Sequence, residues 1–332
     1  MAAANRTVFK RLAIFNHKGG VGKTLLTYNI AASLSNLGYR TLLVDADPQC
    51  NLTSYIVEES VVDDLLNTSD NPSGRTIWTA VKPIVEATGE LNYVEPYELS
   101  VRSMYLLPGD IRLAEFESDL DESWSDSVRR RIRGFRGTMS LSTLVREIAT
   151  RHKIDYVFYD LGPNIGPLNR VMLLDCDFFV IPAACDLFSV RALKTLGHTL
   201  AGWMDDWRMI AKLAPDDIDL LRGAPQFAGY IAQRFRTYGG HVAKEHAKFL
   251  RQIDQHIRSD VVSVVPTISA RLAGGGKTPF RIGLIKDLGS LVTPALEQGV
   301  PIWDVSAGSP DQREEARAAF SALAKRVVAR TT

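Results

Sequence analysis

Hydrophobic positions along the chain fall into short unbroken runs separated by longer stretches with helical spacing. Residues 12–15 form a first apolar run, and residues 39–44, after Gly38, form a second. The pattern returns at residues 104–107, 154–159, 178–181, 227–232 and 282–285. Runs of this length, closed by Gly, Pro or Asp, predict strands buried on both faces. Between them, residues 25–37, 77–85, a segment from Ile111, residues 141–150 and a long stretch after Cys185-Asp186 carry helical spacing. The last helix, over residues 312–330, places Ala316, Phe320, Leu323 and Val327 on one face, which predicts docking on the core. Residues 67–74 are turn-rich and polar, and residues 91–99 have room for a short strand. Alternation of strand and helix predicts an α/β fold, a mainly parallel twisted sheet with helices on both faces. No internal repeat or coiled-coil heptad interrupts it.

Composition narrows the class. The chain has 332 residues, 45% hydrophobic and 23% charged, enough for a large core. Lys and Arg number 39 against 38 Asp and Glu, so any nucleic-acid site must be a local patch. Cys50, Cys176 and Cys185 have neither metal-ligand nor disulfide-framework spacing and read as buried thiols. Residues 1–10 lack the apolar core of a signal peptide, and no run approaches ~20 apolar residues. The expectation is a cytoplasmic protein with no transmembrane segment.

The chemistry is concentrated after the first run. Phe15-Asn16-His17-Lys18-Gly19-Gly20-Val21-Gly22-Lys23-Thr24 stands between a predicted strand and a predicted helix, the context of a phosphate-binding loop. Its glycines let backbone N–H groups turn onto a polyphosphate, and the helix start adds the positive end of its dipole. Lys23 would reach the β- and γ-phosphates, and the Thr24 hydroxyl would sit on Mg²⁺. The second run ends in Asp45-Ala46-Asp47-Pro48-Gln49, acidic residues suited to metal and water chemistry, although an Asp before Pro is also a helix cap. Tyr156-Val157-Phe158-Tyr159-Asp160 reads as a Walker B element with Asp160 beside the metal. Gly274-Gly275-Gly276-Lys277-Thr278 lacks a strand immediately ahead and reads as a loop. Arg129, Arg130, Arg131, Arg133 and Arg136 flank Ile132 and Phe135; the cluster reads as a solvated face or as a contact for DNA or an acidic partner.

The general P-loop pattern requires Gly where His17 stands, and a second lysine, Lys18, opens Lys-Gly-Gly-Val-Gly-Lys-Thr. This loop resembles the deviant P-loop of the ParA/MinD ATPase superfamily, as do Asp-Ala-Asp-Pro-Gln, the Leu-Leu-Pro-Gly-Asp-Ile run at residues 106–111, the strand and Cys-acid pair at residues 178–186, and residues 286–304. Gly162 stands where the family's Asp-x-Pro-Pro segment has its first Pro. The resemblance implies a P-loop NTPase: one ATPase domain over residues 1–332, with insertions near 57–103, 117–140 and 250–281. It implies ATP and Mg²⁺ as cofactors, with nucleotide held by Lys18, Gly19, Gly20, Val21, Gly22, Lys23, Thr24, Leu25, Pro301 and Ile302. Thr24, Asp45 and Asp160 would serve the metal. Asp47 would orient the attacking water, with Lys18 and Lys23 completing the catalytic set. It further implies a homodimer on ATP binding, with Lys18 reaching the partner's nucleotide, and slow hydrolysis stimulated by an adaptor protein. Nonspecific DNA would be bound through Arg234, Arg236, Lys244, Lys248 and Arg251, giving nucleoid association. The segment from Cys185 often contributes to the dimer face, while core packing explains Leu187 and Phe188 equally well. The alternative is a MinD-like ATPase that positions a membrane or protein partner without DNA. A metabolic synthetase or an iron–sulfur reductase component on the same scaffold fits less well, because the cysteine positions do not suit a bridging cluster.

Overall fold

A computed structural model describes residues 9–99, 103–235, 237–238, 241–242, 244–268 and 279–332. In chain order the strands are β1 (Lys10–Ile14), β2 (Thr41–Ala46), β3 (Tyr97–Leu99), β4 (Met104–Leu107), β5 (Tyr156–Leu161), β6 (Phe178–Ala184), β7 (Gln226–Phe235), the two-residue pair β8 (Thr237–Tyr238) and β9 (His241–Val242), and β10 (Arg281–Lys286). The helices are α1 (Lys23–Asn36), α2 (Asn51–Ile56), α3 (Glu59–Thr68), α4 (Ile77–Val85), α5 (Leu113–Val128), α6 (Ile132–Arg151), α7 (Pro167–Asp175), α8 (Leu187–Ala211), α9 (Lys244–His256), α10 (Val292–Gln298) and α11 (Pro310–Thr331). The main sheet has eight strands in the order β10-β7-β6-β1-β5-β2-β4-β3, and every neighbouring pair is parallel except β3 with β4.

Alternation along the strands sends side chains into two cores, one on each face. Ala13, Phe15, Leu42, Val44, Val157 and Tyr159 pack under α4 to α9. Leu12, Ile14, Leu43 and Phe158 pack under α1, α2, α10 and α11. Ala316, Phe320, Leu323 and Val327 are all buried on the second face, so α11 docks as its spacing predicts. Pro182 lies inside β6, in the middle of the sheet, where a lost N–H would normally break a ladder. Its neighbour β1 has ended at Ile14 by that level, and the Pro182 carbonyl accepts instead from Asn16 Nδ2 at 2.8 Å.

The structure changes the reading of the arginine-rich segment. Helix α6 begins at Ile132, well before the predicted start at residue 141, and pairs with α5 as a helical hairpin. A Cβ at Gly134 or Gly137 would run into Ser127, Asp126 or Ser123 of α5. The two glycines permit close helix contact. Asp126 accepts from Arg131 Nη1 at 2.9 Å and Arg133 Nε at 2.5 Å. Arg129 Nη1 also lies 3.7 Å from Asp126 Oδ1, so three of the five arginines gather on Asp126 at the hairpin turn, while Arg136 lies 3.9 Å from Glu90.

A buried polar knot ties the opposite, amino-terminal end of the central strands. Asp175 accepts from Ser142 Oγ at 2.6 Å and Tyr159 OH at 2.5 Å and pairs with Arg11 Nε at 3.3 Å. Removing one member of such a pair leaves a buried charge uncompensated, so Asp175→Ala is expected to cost about 3–5 kcal/mol in denaturant unfolding. Its effect on nucleotide affinity in the surviving folded fraction should be negligible, because the knot lies at the far end of the strands.

Candidate functional site

The carboxyl ends of β1, β2 and β5 bring the predicted site residues together. Gly20 (φ 68°) and Gly22 (φ 72°) adopt the left-handed conformation that favours glycine, and Gly22 is the N-cap of α1. The turn is fixed from beneath: the Lys18 N–H donates to Asn16 Oδ1 at 3.0 Å. At the helix start Lys23 is almost fully buried, and that burial pushes its pKa down, opposed by Asp160 and Asp47. Leu25, one turn along, is half-buried.

Thr24 Oγ1 donates to Asp160 Oδ2 at 2.7 Å, and Asp160 Oδ1 is buried without a partner. Asp160 stands directly opposite Asp45 in the β2–β5 register. Burial, then the Asp45 charge, pushes the Asp160 carboxyl up to about 8; burial pushes Asp45 up to about 6 against its hydrogen bonds from Thr53. Two crowded buried carboxyls and an orphaned oxygen beside a threonine hydroxyl are the donor set a divalent cation relieves. Thr24 and Asp160 fit direct or water-mediated contact with Mg²⁺. Asp45 sits behind them, because Thr53 N and Oγ1 occupy its Oδ2 at 2.7 and 2.6 Å. Among the described residues no group of three or more His, Cys, Asp or Glu is arranged to hold a metal.

These pKa shifts have a signed consequence. A carboxyl whose folded pKa exceeds its unfolded value binds its proton more tightly in the folded state. The pair therefore costs stability that grows as pH rises from ~4 through about 6 and about 8. Asp160→Asn is expected to raise the melting temperature of the nucleotide-free protein, more at pH 8.5 than at pH 5.5. A gain that is equal at both pH values, or absent, contradicts the crowded pair.

Asp47 accepts from the Gln49 N–H at 3.0 Å and Asn51 Nδ2 at 3.4 Å, and its Oδ1 lies against Gly162 in the loop that follows β5. Lys18 turns the other way. Its Nζ lies 2.6 Å from Asp186 Oδ2, 2.8 Å from Oδ1 and 3.1 Å from Ser189 Oγ. Asp186 also caps α8 by accepting from the Ser189 N–H at 2.7 Å. Burial opposes its charge, but Lys18 and that N–H hold its pKa below the ordinary value. His17 reaches Thr195 Oγ1 at 3.4 Å, and burial followed by Lys23 pushes its pKa down.

Pro301 and Ile302 are buried on a loop stapled to α1, where the Ile302 N–H donates to Asn29 Oδ1 at 2.8 Å and Tyr28 OH to the Gly299 carbonyl at 3.0 Å. Arg234 is exposed in a left-handed conformation, and Lys248 and Arg251 are exposed on α9. Arg236 and the Gly274–Thr278 run fall outside the described residues, and for Lys244 only the backbone is described.

Several residues at the site were not among the candidates assigned a role from the sequence, although the resemblance places the strand end at Gln233 near the adenine. Thr53 anchors Asp45 from α2. Gln233, at the end of β7, is buried with Nε2 unpartnered, and a Cβ on Gly22 would stand 3.0 Å from its Oε1. Asn169 of α7 donates to the Gly162 and Asn164 carbonyls, both at 3.0 Å. The Asp186 contact was foreshadowed by the acid at the start of the long helix.

A profile of the AAA domain family matches residues 9–209. The sporulation initiation inhibitor protein Soj of Bacillus subtilis is 32% identical over 198 residues, 58% of this chain and 64% of that protein. The chromosome partitioning protein ParA of Myxococcus xanthus is 34% identical over 197 residues, 58% of this chain and 59% of the relative. The chain thus spans less than two thirds of the length of either relative. Among solved structures, the ATP complex of a Cyanothece McdA variant shares the fold with a TM-score of 0.62 at 20% identity, over 95% of this chain and 96% of that one.

Proposed function

The chain belongs to the AAA domain family, and we propose that it is a ParA-type partitioning ATPase, an ATP-dependent dimerising switch that binds DNA nonspecifically and moves or positions a large cargo. The observation that carries this reading is the pair of lysines around one glycine loop. Lys23 is buried at the start of α1, whereas Lys18 Nζ is held by Asp186 and Ser189 at the start of α8. A lysine engaged by a neighbouring helix rather than buried with Lys23 suits a group that serves a second subunit's nucleotide. In the dimer, Lys18 exchanges the Asp186 carboxylate for the partner's phosphate, while Lys23 and the loop N–H groups hold the chain's own. Asp47 orients the attacking water, and Gly162 packs against its carboxylate. Mg²⁺, when bound at Thr24 and Asp160, neutralises charge on the β- and γ-phosphates.

Hydrolysis is slow because the water-orienting group is one carboxylate with its geometry set by a loop, and an adaptor protein accelerates it. DNA contacts come from Arg234, Arg236, Lys244, Lys248 and Arg251, whose phosphate contacts act by counterion release without base readout. No helix among the described residues is long and apolar enough to cross a membrane, and α11 packs on the core. Because α11 is docked on the core rather than free as an amphipathic tail, we favour the DNA reading over a membrane-positioning one and propose a cytoplasmic, nucleoid-associated location with it.

The test is retention on a long nonspecific duplex at ~0.1 M salt with ATP, ADP, a slowly hydrolysed ATP analogue and no nucleotide. Retention with ATP or the analogue alone supports the switch. Intact ATP binding without retention in any state removes DNA from the account.

A further inference from the structure

Glu117 lies on α5, in a segment that the family motifs do not reach, yet its carboxylate is directed into the nucleotide site's loop. Its Oε1 is buried without a hydrogen-bond partner. A Cβ added at Gly166 would collide with that oxygen. Gly166 is the N-cap of α7 and has no side chain with which to cap it; its own N–H donates to Asn164 Oδ1 at 2.9 Å. The Glu117 carboxylate occupies that place instead, across from the Leu168 N–H, which favours its charged form. Burial, and the nearby Asp47, push the Glu117 pKa up nonetheless.

Residues 162–166, between β5 and α7, connect three parts of the site. Gly162 lies against Asp47, and Pro163 lies against Gly19 of the phosphate loop. Asn169 ties the Gly162 and Asn164 carbonyls from within α7. Glu117 adds a contact from α5, at Gly166.

We propose that Glu117 is a positioning residue for hydrolysis: it closes the α7 N-terminus from α5 and thereby fixes the 162–166 loop against Asp47 and Gly19. The inference rests on the ATPase reading, since the loop matters to turnover only if Asp47 orients water. It gives Gly166 a specific reason to lack a side chain, namely the space that Glu117 Oε1 fills.

The test compares Glu117→Ala, Glu117→Gln, Gly166→Ala and the Glu117→Ala/Gly166→Ala double variant. ATP turnover and amide hydrogen exchange are measured on the full chain. Glu117→Ala is expected to lower kcat about tenfold with KM for ATP changed less than about threefold, the signature of lost transition-state positioning. Exchange at residues 162–168 should accelerate about tenfold while that of α1 stays unchanged. Glu117→Gln keeps the shape and an acceptor oxygen and should recover most of kcat. Gly166→Ala should reproduce Glu117→Ala by displacing the carboxylate, and the double variant should be no worse than either single one.

Unchanged exchange at 162–168 in Glu117→Ala overturns the proposal, as does additive loss in the double variant. A wild-type chain that binds but does not turn over ATP overturns the ATPase reading instead, and the exchange comparison then still decides whether Glu117 holds the loop.

Discussion

Lys18→Ala is expected to abolish ATP-dependent dimerisation and to reduce ATP turnover about a thousandfold, with nucleotide affinity of the monomer lowered only a few-fold. The scale is that of cationic groups supplied in trans to a transferring phosphoryl group. The separation of effects follows from geometry. In the proposed dimer Lys23, at the α1 N-terminus, and the N–H groups of the turn serve the chain's own phosphates, whereas Lys18 is engaged with Asp186 and Ser189 at the start of α8. Truncating Lys18 removes no contact from the glycine turn, because its backbone N–H still donates to Asn16 Oδ1. It does leave Asp186 without its cation, but the half-exposed carboxylate keeps its capping bond to the Ser189 N–H. Such exposed-side pairs contribute little to stability, so the folded state should survive. Turnover by sedimented or size-resolved dimers, with nucleotide affinity from a fluorescent analogue, checks all three parts.

The second large effect is at Asp47. Asp47→Ala is expected to reduce turnover about 100- to 10,000-fold while leaving ATP binding intact, so that ATP-bound dimers accumulate. The carboxylate is buried at the end of β2 but belongs to neither the Thr24–Asp160 pair nor the glycine turn. Its partners, the Gln49 N–H and Asn51 Nδ2, orient it towards Gly162. Asp47→Asn preserves the acceptor oxygen and removes the charge. Turnover lost in both variants points to the charge; turnover kept in the Asn variant points to the hydrogen-bond geometry. Single-turnover rates with pre-formed complexes separate this from any change in binding.

Much of the site was legible because its residues are adjacent in sequence and chemically specific. Gly20 and Gly22 need positive φ, and Lys23 and Thr24 follow them on the first turn of α1, so one stretch encodes both the cradle and its charges. Asp45 and Asp160 were legible as acids ending apolar runs, and the parallel register of β2 with β5 sets them face to face. What stayed hidden comes from contacts across long sequence distances. Thr53 occupying Asp45 and Glu117 closing α7 depend on tertiary placement, and an isolated Thr or Glu carries no pattern. The start of α6 was hidden for a different reason. Gly134 and Gly137 are poor helix formers by propensity, yet helix packing against Ser123 and Ser127 requires them. Pro182 within β6 is similar, since a central strand tolerates it only because β1 ends two residues earlier in register.

In the proposed switch, ATP joins two chains through Lys18. Sedimentation velocity of the wild type and Lys18→Ala, each with no nucleotide, ADP and a slowly hydrolysed ATP analogue, tests it directly. The account predicts a dimer for the wild type with the analogue alone and a monomer for Lys18→Ala throughout. A wild type that stays monomeric with bound analogue, or a Lys18→Ala variant that dimerises as the wild type does, would contradict it.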